Sequence, residues 1–96
     1  MNNEIEQQIN LQTAQIRWHE LQRVFASGNA IAVDASLDLT HVAAQIVADN
    51  ATQIKDWMDA GLVDAVKDTQ AQQWYEQDAL VWTVVIKPWV LVQTIK

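Results

Sequence analysis

Residues 81–93, Val-Trp-Thr-Val-Val-Ile-Lys-Pro-Trp-Val-Leu-Val-Gln, are a run of β-branched and aromatic residues around the chain's only proline. Such residues fit a pleated, half-buried surface, and tryptophan carries a large apolar body that seeks burial. The run predicts a long C-terminal strand and places the core there. Trp82, Val84 and Ile86 alternate onto one face, and Val81, Thr83 and Val85 onto the other. Both faces are largely apolar, so the strand must be covered on both sides or lie inside a dimer interface. Pro88 lacks an N–H, which confines it to an edge, a bulge or a turn.

Before that run the pattern is mixed. Residues 3–16 read as a helix with Ile5, Ile9 and Ile16 near one face, either continuing through Trp18, Leu21, Val24 and Phe25 or breaking near Arg17. Ser27-Gly28-Asn29 stops it, because glycine is favoured just past a helix end. Ala30 to Val33 is a short strand, and Asp34-Ala35-Ser36 a turn. Leu39, Val42, Ala43, Ile46 and Val47 recur at helical spacing, with Ser36 or Asp38 as the cap. Asn50 with Gln53 has the form of a capping box. It opens a helix carrying Ile54, Trp57 and Met58 inward, which Gly61 ends. Leu62 to Val66 is a strand. Asp68 caps a last short helix with Ala71, Trp74 and Tyr75 on one side.

This order predicts an α+β fold, a small antiparallel sheet with three to four helices, in one domain over residues 1–96. Helix–strand–helix–helix–strand–strand is the order of a winged helix. Residues 42–66 in particular pass from helix to turn to helix to strand as a winged-helix-like variant would.

Charge limits the partners of such a fold. Twelve acidic residues face six basic ones, a net charge of −6, with the excess concentrated between Asp49 and Asp78. An acidic surface repels phosphate backbones and anionic lipid. In a winged helix, residues 51–60 would enter the major groove. Their outward side chains include Gln53, Lys55, Asp56 and Asp59, with no arginine to read guanine. The chain has no cysteine, which removes disulfides and thiolate metal sites and fits a reducing compartment. The first ten residues lack the basic start and apolar stretch of a signal peptide. Every apolar run is shorter than the roughly 20 residues of a membrane span. The expectation is a cytoplasmic protein.

Catalytic and metal-binding patterns find little support. His19 and His41 stand alone, with no spacing that gathers further ligands. Asp34, Asp38, Asp64 and Asp68 sit where turns and helix starts use aspartate, rather than as a pair with divided pKa values. Ser27 and Ser36 lack a nucleophile-elbow setting, and two glycines cannot make a phosphate loop. No catalytic, cofactor or metal residue is assigned. The tryptophans remain. A core of this size rarely buries five of them completely, so Trp57, Trp74, Trp82 and Trp89 form the candidate interaction patch.

Four segments carry a resemblance: Thr-Ala-Gln-Ile-Arg-Trp-His-Glu-Leu-Gln over 13–22, Val-Asp-Ala-Ser-Leu-Asp-Leu over 33–39, Trp-Met-Asp-Ala-Gly-Leu over 57–62, and Lys-Pro-Trp-Val-Leu-Val-Gln over 87–93. Together they resemble the small bacterial proteins of domain of unknown function 2288, with the Pro-Trp-Val-Leu-Val-Gln ending most specific. The resemblance implies a bacterial, cytoplasmic, single-domain protein and brings no activity or cofactor. The residues read best as a non-catalytic protein-interaction or regulatory module with an acidic surface, binding a protein partner or a second copy as a homodimer. One alternative is a winged-helix-like nucleic-acid-binding regulator with a basic face from Arg17, Arg23, Lys87 and Lys96. Another is a small-molecule binder in a tryptophan-lined pocket.

Overall fold

The C-terminal run folds back on itself. In the computed structural model, which describes residues 13–86 and 88–95, the expected single strand is a hairpin. Its arms are β4 (Leu80–Ile86) and β5 (Trp89–Thr94), with Ile86 opposite Trp89. Pro88 falls in the turn, where its missing N–H removes no ladder bond. The other elements are β1 (Ala14–Arg17), a 3-10 turn (Trp18–Leu21), α1 (Gln22–Ala26), β2 (Ala30–Val33), α2 (Leu39–Val47), α3 (Ala51–Asp59), β3 (Val63–Ala65) and α4 (Asp68–Glu76).

The strands make one five-stranded sheet in the order β1-β4-β5-β2-β3. The α+β class holds, but the sheet is mixed rather than antiparallel, because β2 pairs with β5 in parallel. A parallel pair needs a long crossover, and everything from α2 to β4 supplies it. The segment β2–α2–α3–β3 runs as in a winged helix. It departs from that fold after β3, which is an edge strand followed by α4, with no wing hairpin at that edge.

Helices cover both faces of the sheet. On one face α2 and α3 enclose Val33, Val63, Val84 and Leu91 together with Leu39, Val42, Ala43 and Trp57. On the other, the 3-10 turn, α1 and α4 enclose Ala30, Val81, Val90 and Val92 with Trp18, Leu21, Ala71 and Trp74. The double apolar pattern of β4 and β5 is therefore met within one chain. One buried polar side chain spans sheet and loop: Gln93 donates through Nε2 to the carbonyls of Asp34 and Leu37 at 2.9 and 2.7 Å.

Several local readings change. The helix expected over residues 3–16 is strand at its described end, and the rest of it lies outside the described residues. Ala14 and Gln15 carry little strand preference of their own. Pairing with Thr83, Trp82 and Val81, and the packing of Ile16 against the second core, impose the extended form. Met58, Tyr75 and Val47, all expected inward, are exposed. Asp68 is not a cap either: Lys67 holds the N-cap position without a side-chain bond, and Asp68 lies in the first turn. Asn50 does cap α3, accepting the Gln53 N–H at 3.3 Å. Only half of the capping box forms, since the Asn50 N–H goes to the Gln45 carbonyl. Asn50→Ala is accordingly expected to cost about 1 kcal/mol. Asp68→Asn should cost only a few tenths, the worth of a first-turn charge on a helix dipole. Urea denaturation of both variants checks the contrast, and equal losses would return Asp68 to a capping role.

Asp38 caps α2, accepting from the Thr40 N–H at 3.0 Å and the Thr40 hydroxyl at 2.7 Å. The hydroxyl bond is the main cause that holds the carboxyl below its ordinary value of 3.8. A carboxyl lowered on folding stabilises fully above its unfolded pKa, and that increment fades as pH falls through the folded value. Asp38→Asn should therefore be less stable than the parent at pH 6, with the gap narrowing below about pH 4. Urea midpoints across pH 2–6 measure it, and a gap independent of pH would refute the assignment.

The four helices of the described residues end alike. After each, one residue donates its N–H four-residue-turn fashion and the next reaches one residue further back: Gly28 to Phe25 and Asn29 to Val24, Asp49 to Ile46 and Asn50 to Gln45, Gly61 to Met58 and Leu62 to Trp57, Asp78 to Tyr75 and Ala79 to Trp74. This is the Schellman arrangement, which needs positive φ at the first of the two residues. Those residues are Gly28, Asp49, Gly61 and Asp78, with φ of 80°, 56°, 75° and 48°.

Candidate functional site

Between the α2–α3 corner and one end of the sheet, a groove of about 390 Å³ stays open. Its floor is the α2/α3 face of three strands: Trp89 and Leu91 of β5, Ile31 of β2, and Val63 and Ala65 of β3. Strand periodicity puts these side chains together, since each pair is two residues apart. One wall is Ile46 in the last turn of α2. The other is Ile54 and Met58, four residues apart on α3. Met58 is 52 % exposed and Trp89 41 %, so the mouth of the groove is apolar and open to solvent.

Two aspartates border this apolar frame, Asp49 just past α2 and Asp64 on the edge strand β3, where the alternation that turns Val63 and Ala65 to the floor turns the Asp64 side chain to the other face. Asp64 has work within the chain. Asp34 and Val66 donate across the β2/β3 ladder to Leu62 and Ala30, which turns the N–H of Ala65 away from β2 toward the open edge. The Asp64 carboxylate accepts that N–H at 2.8 Å. A carboxylate laid along an edge strand blocks pairing with another strand. Asp49 has no side-chain partner among the described residues.

Of the four tryptophans in the expected patch, only Trp89 reaches the groove. Trp57 is buried in the first core with its ring edge-on to His41, centroids 5.9 Å apart. Trp74 is buried in the second, 5.0 Å from Trp18. Trp82 is half-buried on β4, beside Leu37 and Gln93 at a separate depression. The sheet lies between Trp57 and Trp74, so these four cannot make one surface. The sequence reading missed Ile31, Ile46, Met58, Leu91 and Asp49 as groove residues. Met58 offered the one legible signal: it sits at the margin of the α3 apolar stripe, one residue from Trp57.

Other polar groups serve the fold. Asp34 accepts from the Ser36 N–H at 2.9 Å and closes the turn after β2. Arg17 bonds Asp78 at 2.9 Å. His19 lies flat on the Tyr75 ring with centroids 4.3 Å apart, and its Nε2 meets the Tyr75 carbonyl at 3.0 Å. Together these tie the end of β1 and the 3-10 turn to the end of α4. Of the cations invoked for a nucleic-acid face, Arg17 is thus paired, Arg23 lies on α1, and Lys87 and Lys96 fall outside the described residues. Among the described residues no group of three or more His, Asp or Glu side chains is placed to hold a metal ion. None of their helices is long and apolar enough to cross a membrane.

A mixed sheet with helices on both faces and an open apolar groove at one end defines a small three-layer α+β protein. The chain belongs to the family described as Protein of unknown function (DUF2288), whose sequence profile matches residues 4–94. It is similar to PA1075 from Pseudomonas aeruginosa, known from an NMR solution structure. The two are 36 % identical with a TM-score of 0.84, over 92 % of this chain and 82 % of that one. No curated protein matches the chain.

Proposed function

We propose that this protein is a non-catalytic interaction module that receives an apolar segment of a protein partner in the α2–α3 groove. The observation that carries the reading is the exposure of Met58 and Trp89 at the mouth of an apolar concavity. Tryptophan and methionine are enriched where proteins meet, and binding energy concentrates in a few such anchors. The fold can hold this surface open because both faces of the sheet find their apolar partners elsewhere in the same chain. That also removes the need for a dimer to cover β4.

A photo-crosslinking residue placed at Met58 should capture a discrete partner in cells of the source organism, whereas one at the exposed Gln72 of α4 should not. Trp89→Ala should abolish the capture while leaving the protein cooperatively folded, at a loss of unfolding free energy well below the roughly 3–5 kcal/mol of a fully buried tryptophan. The captured protein, purified, should then bind the parent and not the variant. Equal labelling from both positions, or capture that survives Trp89→Ala, would overturn the proposal.

A further inference from the structure

We infer that the occupant of the groove is a protein segment whose apolar anchor residues are flanked by Lys or Arg, and that Asp49 is the residue that pairs with the flanking cation. This rests on the groove reading above and adds the chemistry of the partner.

The argument starts from the four identical helix ends. Each requires a residue at positive φ, which glycine adopts without steric cost and other residues adopt less well. Gly28 and Gly61 fill two of these positions, Asp49 and Asp78 the others. Aspartate tolerates this conformation better than most residues, yet glycine remains the better fit, so an aspartate here must be accounted for by its carboxylate. For Asp78 the account lies within the chain: Arg17 at 2.9 Å and His19 at 3.9 Å. Asp49 sits in the same backbone setting and has no such return among the described residues. Asp49 lines the groove instead, with Asp64 on the edge strand beside it. The complement of an apolar cleft edged by an aspartate unpaired among the described residues is an apolar side chain beside a cation.

The same charges exclude the other occupants. A second copy would set Asp49 and Asp64 against their own images in a protein of net charge −6. Nucleic acid and anionic lipid meet the same repulsion. The volume of about 390 Å³ is at the small end of binding pockets, which suits anchor side chains rather than a domain-sized face.

Fluorescence anisotropy with labelled peptides tests this on the full chain. The probes share the core Leu-Phe-Leu and differ only in flanking pairs of Lys, Gln or Glu. The Lys-flanked peptide should bind tightest and the Glu-flanked weakest, with the spread shrinking between about 50 and 500 mM salt. Asp49→Gly should weaken the Lys-flanked peptide about two- to fivefold, the range of an exposed ion pair, and leave the Gln-flanked one unchanged. The same variant should melt about 2–4 °C higher, because glycine suits the helix end better. Equal affinity for Lys and Gln flanks, or a ratio indifferent to Asp49→Gly, overturns the cation inference. The groove reading stands in that case if Trp89→Ala weakens all three peptides. A melting temperature lowered by Asp49→Gly overturns the inference from the other side, by showing that the carboxylate serves the fold. Binding indifferent to Trp89→Ala, or no binding of any peptide up to about 1 mM, overturns both.

Discussion

Deleting residues 88–96 is expected to leave a chain that cannot fold cooperatively. The deletion takes out β5, the middle strand in the order β1-β4-β5-β2-β3. Without it the β1/β4 pair and the β2/β3 pair have no common neighbour, and each is a two-stranded fragment of marginal stability. Three consecutive buried apolar residues go with it, Val90, Leu91 and Val92. Leu91 belongs to the core under α2 and α3, and Val90 and Val92 to the core under α1 and α4, so both are opened at once. Burying one such side chain is worth about 1.5–3 kcal/mol, against a total of about 5–15 kcal/mol for a domain. The loss of Gln93 also frees the loop that leads from β2 to α2. Near-ultraviolet circular dichroism and a thermal melt should show neither fixed aromatic packing nor a cooperative transition. A truncated chain that stayed soluble and melted sharply would show that β5 is an appendage and that the core closes without it.

Trp18→Ala should be the most damaging single truncation of a tryptophan. Trp18 is fully buried and packs on Phe25 and Trp74, with ring centroids 5.7 and 5.0 Å away. Removing a buried aromatic side chain typically costs about 3–5 kcal/mol, through lost burial and the cavity left behind. Trp18→Phe makes the argument sharper. The indole Nε1 of Trp18 is buried without a hydrogen-bond acceptor among the described residues. An unsatisfied buried donor costs about 1–3 kcal/mol, and phenylalanine removes that donor along with part of the volume. The two effects oppose each other, so Trp18→Phe should lose far less stability than Trp18→Ala. Urea denaturation of both variants, with Trp89→Ala as the exposed control, measures the series. An alanine variant within about 1 kcal/mol of the parent would mean that the second core repacks freely. A phenylalanine variant as damaged as the alanine one would mean that the indole N–H is satisfied.

Much of the chain was legible because its signals are local. Gly28 and Gly61 end helices where the sequence places them, and Asn50 caps α3 through its own side chain. The period of α2 points Leu39, Val42 and Ala43 inward without help from the rest of the fold. The proline in the C-terminal run marked a break in a strand. Whether that break was a bulge or a full reversal depended on whether β5 had somewhere to go, and its place is between β4 and β2.

What the sequence could not reveal is what depends on distant partners. β1 looks helical by composition and is a strand because β4 offers it a ladder and the second core takes Ile16. Four of the five tryptophans read as a candidate binding patch in the sequence. The sheet divides them, since alternate strand positions face opposite helical layers, and Trp57 and Trp74 end in different cores. The groove has no motif at all. Ile31, Ile46, Ile54, Met58, Trp89 and Leu91 come from four elements and meet only because the parallel β2/β5 pairing lays those strands side by side beneath α2 and α3. The amino-acid sequence by itself determined an acidic α+β protein with a C-terminal apolar core, since composition, periodicity and caps act within a few residues. The mixed topology, the division of the tryptophans and the groove that bears Asp49 were decided only by the tertiary structure, because each is set by contacts between residues far apart in the chain.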